Sequence, residues 1–182
     1  MTPLAADPEA MRIVQGAAIT LEPQRESHAG EMFAVLGDPA IYEYENEPPR
    51  SLEWLRERYR KLESRRSPDG AQQWLNWVIR VPPSQLIGYV QATVYPDGRG
   101  AIAYELGSAW WGRGLARQAV EAMIGELAAR HGVRELTAVF KRDNHRSRRL
   151  LERLGFSPAA PQRHADLQVE DGEVLMERRA AP

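Results

Sequence analysis

The stretch 105–119, ELGSAWWGRGLARQA, restricts the fold more than any other part of the chain. It has the form of a strand that ends in a glycine-bearing turn and passes directly into a helix. Such a junction leaves backbone N–H groups without helical partners facing one small volume, which suits an anion. Gly112 and Gly114 lack a Cβ, which permits unusual backbone angles and close approach of a ligand. The helix expected from near Arg113 adds its positive end. Arg113 and Arg117 then fall in the first turn, where cations are mildly unfavourable unless something negative, such as a phosphate, lies nearby. Leu115, Ala119, Met123 and Leu127 recur at helical spacing, with Ala116, Val120, Ile124 and Ala128 beside them, so one stripe of this helix faces a core.

Two known phosphate loops do not fit. A nucleotide P-loop needs Lys-Ser or Lys-Thr after the glycines, and a dinucleotide fingerprint needs a third glycine where Arg117 stands. Taken alone, the turn is equally compatible with a tight strand-to-helix connection that binds nothing.

With 182 residues the chain has the length of one domain with a substantial core. Its 24 basic and 25 acidic residues give a net charge of -1, so bulk charge supplies no drive toward nucleic acid or an anionic membrane. Cysteine is absent, which excludes disulfides, cysteine nucleophiles and thiolate metal sites. The four dispersed histidines, His28, His131, His145 and His164, show no metal-ligand spacing, so no metal is expected. The N-terminus lacks the pattern of a secretory signal, and no stretch approaches the roughly 18 apolar residues of a membrane span. These features predict a soluble, cytoplasmic protein, with monomer and homodimer both open.

Residues 1–16, rich in Ala, Pro and Asp without periodicity, read as a mobile leader, and 17–182 as a single domain. A short strand is expected over 18–21 and a first helix over 26–36, ended by Gly37-Asp38-Pro39. In the segment after it, Glu43, Glu45 and Glu47 alternate with Tyr42 and Tyr44. It reads either as a solvated connector or as the wall of a pocket for a cationic acceptor, with Tyr42, Glu43, Tyr44 and Glu45 as candidate contacts. Ser51 is the candidate N-cap of a helix to about residue 66, with Trp54, Leu55, Tyr59 and Leu62 on its buried side. Two antiparallel strands, 74–81 and 86–95, lead into a third over 100–106. There Ile102, Tyr104 and Leu106 point one way and Ala101, Ala103 and Glu105 the other. His131-Gly132 stops the central helix, and the strand over 136–140 lies parallel to the one before because of the crossover. A helix over 144–154 puts Asn144, Ser147, Leu151 and Leu154 on one face, and residues 167–169 with 173–177 read as a closing hairpin.

The residues YELGSAWWGRGLA (104–116), followed by NHRSRRLLERLGF (144–156), together resemble the GNAT acetyltransferase superfamily, most closely its RimJ/RimL-like branch. The pair is far more specific than either motif alone. The resemblance implies an α/β (α+β) mixed sheet flanked by helices on both faces, with two central parallel strands splayed to admit acetyl-CoA. It implies that Leu106, Gly107 and Ser108 pair with the pantetheine amides and that the diphosphate rests on N–H groups from Gly112 through Arg113, Gly114, Leu115 and Ala116 to Arg117, beside Trp111. Asn144 would contact the pantetheine arm and Ser147 would lie near the thiol. Two positions depart from the usual pattern: Ala109 replaces a Gln or Arg, and Leu151 stands where many relatives place a tyrosine acid. Ser147 is what remains to protonate the thiolate.

The reaction this implies is direct acetyl transfer to a primary amine, a protein N-terminus or a small cationic molecule. A backbone N–H near Leu106 serves the oxyanion. Glu105 is the first candidate for the base, acting through a water, with a purely ordering role as its alternative. Trp110 and Trp111 read as packing rather than a base-stacking platform. The basic run Lys141, Arg142, Arg146, Arg148, Arg149 and Arg153 suggests an RNA-binding domain as a rival. Asp143 and Glu152 interrupt it, however, so it reads better as a solvated face, with Arg142 or Arg146 reaching the nucleotide's 3′-phosphate. A non-catalytic acetyl-CoA sensor is the third alternative.

Overall fold

The computed structural model describes residues 11–44 and 46–179. Its strands are β1 (Val14–Gln15), β2 (Thr20–Pro23), β3 (Gln73–Val81), β4 (Gln85–Val94), β5 (Arg99–Leu106), β6 (Glu135–Lys141), β7 (Ser157–Pro158) and β8 (Glu173–Arg179). They form one sheet in the order β1-β2-β3-β4-β5-β6-β8-β7. The helices are α1 (Ala29–Val35), α2 (Leu52–Leu62), α3 (Leu115–Arg130), α4 (His145–Arg153) and α5 (Pro161–Asp166). None of them is long and apolar enough to cross a membrane.

Alternation along the strands builds two apolar layers. Trp77, Ile79, Val90, Ile102 and Leu106 pack with Val120, Met123, Leu127 of α3 and Leu151 of α4. On the other face Val78 and Leu86 pack with Met32 of α1 and with Leu55 and Tyr59 of α2. With both faces covered, β3 is buried almost throughout, as its run of β-formers requires.

The one parallel pair among these strands, β5 with β6, is joined only at Arg99–Glu135, Gly100–Leu136 and Ala101–Thr137. Beyond that point both strands continue, β5 to Leu106 and β6 to Lys141, without register between them. This is the expected splay. On its other edge β5 stays zipped to β4 as far as Gly88–Leu106. The bonds Tyr95 N–H to Arg99 O (2.9 Å) and Gly107 N–H to Ile87 O (2.9 Å) place the β4-directed amides at odd positions of β5. The N–H and C=O groups of Ile102, Tyr104 and Leu106 are therefore turned toward the gap. A register shift between β3 and β4 at Ile79/Arg80 lies beside this end of the sheet.

Several boundaries and contacts differ from the sequence reading. Within the expected leader, Val14–Gln15 pair with Leu21 and Thr20, and Arg12 holds the buried Glu126 carboxylate at 2.8 Å; residues 1–10 lie outside those described. The strand expected over 18–21 begins two residues later. Ser51 does cap α2, its Oγ accepting from Trp54 N–H at 3.1 Å. Trp54 itself is 39% exposed, because the buried face of α2 runs through Leu55 and Tyr59, and Trp54 lies at its edge. The closing hairpin does not form. Pro161 starts α5 instead, Leu167 is exposed, and β8 finds its partners in β6 over seven residue pairs and in β7 over two.

Candidate active site

The strand β5 leads into the site through a chain of backbone commitments. After Leu106, a 3-10 turn over Ser108–Trp110 is followed by Gly112 and Gly114, both at φ 73° in the left-handed region. A Cβ built at either glycine meets nothing within 4 Å, so open space lies before them. Gly114 is the N-cap of α3 and no side chain caps it; the first helical bond is Gln118 N–H to Gly114 O at 3.2 Å. The amides of Leu115, Ala116 and Arg117 thus lack helical acceptors, as the first residues of any helix do.

These amides face a cleft of about 380 Å³. Leu106, Trp111, Gly112, Gly114, Leu115, Ala116, Arg117, Asn144 and Ser147, nine of the residues named as cofactor contacts, line it. Three expected members do not line it. Gly107 donates its N–H to Ile87 O, and Ser108 N–H is held at 2.7 Å by Asp38 Oδ2, so neither amide is left to pair with a ligand. Arg113 lies outside α3, whose helical turn starts at Leu115, and its guanidinium stacks on Trp110 at 5.0 Å. The gap-facing amides come instead from Leu106 and Tyr104, at alternate positions. The Leu106 carbonyl is engaged by Trp111 Nε1 at 2.9 Å, which leaves its N–H directed into the gap.

From the opposite rim, α4 presents Asn144, whose Oδ1 caps the helix on Ser147 N–H at 3.0 Å. The Tyr104 hydroxyl lies 3.5 Å from Ser147 O. Arg146 rests 3.9 Å from the Trp111 ring centroid and 5.7 Å from that of Tyr44, and it donates to Glu43 at 2.9 Å. Arg149 and Arg153 also line the cleft, whereas Arg142 does not. The sequence reading looked to Arg142 or Arg146. The spacing of 146, 149, 150 and 153, all cleft-lining, was the signal available for the right face.

A second cavity of about 240 Å³ lies on the α2 face of the sheet. Its floor is Asn76, Tyr89 and Gln91 and its walls include Tyr42, Trp54, Arg58 and Tyr59. Glu105 lines both this cavity and the cofactor cleft. The Tyr42 hydroxyl donates to Leu36 O at 2.7 Å; burial first, then the charges of Glu105 and Asp38, push its pKa up to about 12. Burial likewise raises Tyr59 and Tyr89, so these phenols stay protonated at neutral pH.

The four acceptor candidates separate in space. Tyr42 lines the α2-side cavity and Tyr44 the cofactor cleft. Glu43 lines neither, since it pairs with Arg146 at the rim, and Glu45 lies outside the described residues. Sequence reasoning missed Arg58, Asn76, Tyr89 and Gln91, because no local pattern announces that a helix and three strands will enclose them.

Asp38 ties the segment after α1 to the strand–helix turn, accepting from Ser108 and Ala40 N–H groups. The Ser108 hydrogen bonds hold its pKa below the usual 3.8. A depressed carboxyl pKa stabilises the fold fully above the unfolded value and loses that contribution as pH falls through the folded one. Asp38→Ala is expected to cost about 1 kcal/mol. Urea unfolding should find this difference at pH 7 and find it shrinking below about pH 3.8; an equal difference at both would remove the ionised contact as its source.

Residues 18–157 match the acetyltransferase (GNAT) domain family, which is most of the chain. The chain belongs to the GNAT acetyltransferase family. It is an N-acetyltransferase with acetyl-CoA as its donor. No curated protein matches the sequence. Among solved structures, this acetyltransferase is similar to RimL, a ribosomal L7/L12 alpha-N-protein acetyltransferase in complex with coenzyme A. The two share 18% identity at a TM-score of 0.77, over 92% of this chain and 98% of the other. The ribosomal-protein-S5-alanine acetyltransferase of Vibrio fischeri gives 16% identity and a TM-score of 0.75, over 93% and 97%. The microcin C7 self-immunity acetyltransferase in complex with acetyl-CoA and AMP gives 15% and 0.68, over 90% and 93%.

The residues present fit acetyl-CoA. An α-helix N-terminus without a side-chain cap suits a diphosphate, the open space at Gly112 and Gly114 admits it closely, and Arg117, Arg149 and Arg153 supply countercharge. Beyond its last register pair with β6, β5 offers a strand edge to the pantetheine amides.

Proposed function

We propose that the acetyltransferase modifies a primary amine, a protein N-terminus or a small cationic amine, delivered to Glu105 through the α2-side cavity. The observation that carries this reading is that Glu105 lines both cavities, on the α2-facing side of β5, where a donor and an acceptor approach from opposite sides. Four aromatic side chains, Tyr42, Trp54, Tyr59 and Tyr89, with the carboxylates of Glu105 and Glu47, suit an ammonium group. The similarity to enzymes named for ribosomal-protein N-termini favours the protein acceptor.

Acetyl-CoA, when bound, supplies an acyl group already activated as a thioester, so the chain's residues need only position, stabilise and move protons. The Leu106 N–H is turned into the gap, where a carbonyl oxygen of the donor would lie. Asn144 keeps Oδ1 on the helix cap, which leaves its Nδ2 for a pantetheine carbonyl. Glu105 takes a proton from the ammonium through a water, giving a neutral amine. The neutral amine forms its C–N bond at the thioester carbon and the C–S bond breaks; the Ser147 hydroxyl, lining the cleft, gives its proton to the departing sulfur while taking up, through water, the proton that the acylated nitrogen sheds. The catalytic roles of Glu105 and Ser147 are part of this proposal.

A free-thiol release assay with acetyl-CoA against N-terminal peptides and small amines tests it. Turnover with at least one amine class is expected. Thermal stabilisation by acetyl-CoA with no acetylation of any of them would sink the acceptor assignment.

A further inference from the structure

Among the described residues, Arg58 is the one cation lining the α2-side cavity. Along α2 the other basic residues are matched: Arg56 with Glu53, Lys61 with Glu57, and Arg60 with Glu26. Arg58, on the same helix, lines the cavity and pairs with no carboxylate among the described residues; its guanidinium sits 5.6 Å from the Trp54 ring centroid. Glu47, also on the wall, is exposed and makes no ion pair with it. The charge of Arg58 acts on the hydroxyls of both Tyr59 and Tyr89, and that of Glu105 acts on Tyr89 as well. The Tyr89 hydroxyl thus lies within the fields of a carboxylate and a guanidinium at once.

A second donor belongs to the same cavity. Gln24 is 3% exposed and lines it, and its Nε2 is buried without a hydrogen-bond partner. The backbone of Gln24 is held in place, its N–H on Asn76 O and its carbonyl on Arg65. Gln24 follows β2 and Glu105 is on β5, so the cavity spans the sheet over three strand spacings, about 14 Å. The same cavity thus offers the Glu105 carboxylate for an ammonium and two donors, Arg58 and Gln24 Nε2, for an anion. The buried Gln24 Nε2 lacks an acceptor and the exposed Arg58 guanidinium lacks a carboxylate partner among the described residues, so one oxyanion in the cavity serves both.

The geometry points to an acceptor that carries a carboxylate a few bonds from its reactive amine, with Glu105 receiving the amine and Arg58 the acid. This deepens the proposed function and rests on it. At about 240 Å³ the cavity is smaller than a drug-sized site, so it admits a small amino acid-like molecule or only the first residues of a chain. In a protein acceptor the acid is then a side chain at the first or second residue.

The test compares short peptides that differ only at their second residue, Ser-Asp, Ser-Ala and Ser-Lys, together with free aspartate, by thiol release on wild type, Arg58→Gln and Arg58→Glu. For wild type, KM for the Asp peptide is expected roughly ten- to hundredfold below that for the Ala peptide. Arg58→Gln should erase that advantage with kcat little changed, and Arg58→Glu should pass it to the Lys peptide. Preference for free aspartate over every peptide assigns the carboxylate to a small molecule; the reverse assigns it to a protein end. Equal KM values for the Asp and Ala peptides on wild type overturn the inference and leave the amine acceptor standing. So does an Arg58→Gln effect of the same size on every substrate. If no amine is acetylated, the acceptor assignment itself fails. Calorimetric titration of the Asp peptide into the coenzyme A-bound protein then decides for Arg58, and identical affinity in wild type and Arg58→Gln overturns its role.

Discussion

Glu105→Gln is expected to lower kcat by about 10²- to 10⁴-fold, the range of a general base, with KM for acetyl-CoA within about threefold of wild type. Two observations separate Glu105 from other candidates. It lines both cavities, and the neighbouring phenols of Tyr42, Tyr59 and Tyr89 are pushed upward by burial and stay protonated near neutral pH. The substitution keeps the shape of the side chain while removing its charge and its ability to accept a proton. The limb of the kcat/KM profile that rises as a base deprotonates should therefore vanish, while acetyl-CoA still raises the melting temperature. Turnover equal to wild type over the whole pH range would leave Glu105 with only an ordering role.

Gly88→Ala is expected to destabilise the fold by about 3 kcal/mol and to abolish most activity. Gly88 faces Leu106 across β4 and β5. A Cβ there would stand 2.0 Å from Glu105 O and 2.9 Å from Leu106 Cα, both backbone atoms that no side-chain rotation moves aside. The strands must part at the point that carries the proposed base and the gap-facing amide. Thermal unfolding should show a fall of about 6–12 °C. Gly30→Ala is the control: Gly30 lies in α1 with nothing within 4 Å of its added Cβ, and Ala is the better helix former. A Gly88 variant as stable as the Gly30 variant would mean that the close approach is not a constraint.

The cofactor half of the site was legible in the sequence because it is built from local structure. Gly112 and Gly114 announce left-handed backbone, the apolar stripe from Leu115 to Leu127 announces the helix, and Asn144 stands where an N-cap belongs. Where the reading erred locally, a tertiary partner had intervened. The Ser108 amide is captured by Asp38, 70 residues away in sequence, and the Gly107 amide by Ile87 across the sheet. Glu43, expected at a substrate, is engaged by Arg146 from the other rim.

The acceptor side was scarcely legible. The alternating Tyr42 to Glu47 segment placed one contact, Tyr42, in the α2-side cavity, and Glu47 lines the same cavity. Arg58, Asn76, Tyr89 and Gln91 come from α2, β3 and β4, and in sequence they resemble any half-buried polar or aromatic positions. The amino-acid sequence by itself determined the order of elements from β2 to α4, the glycine turn before α3 and the crossover that makes β5 and β6 parallel. These follow from backbone sterics and hydrophobic periodicity within a few residues. Tertiary structure alone decided where β5 and β6 stop pairing, which amides remain directed into the gap, and that Glu105 stands between two cavities. Each of these depends on which distant groups complete a hydrogen bond or bury a charge first, and no window of the chain contains both partners.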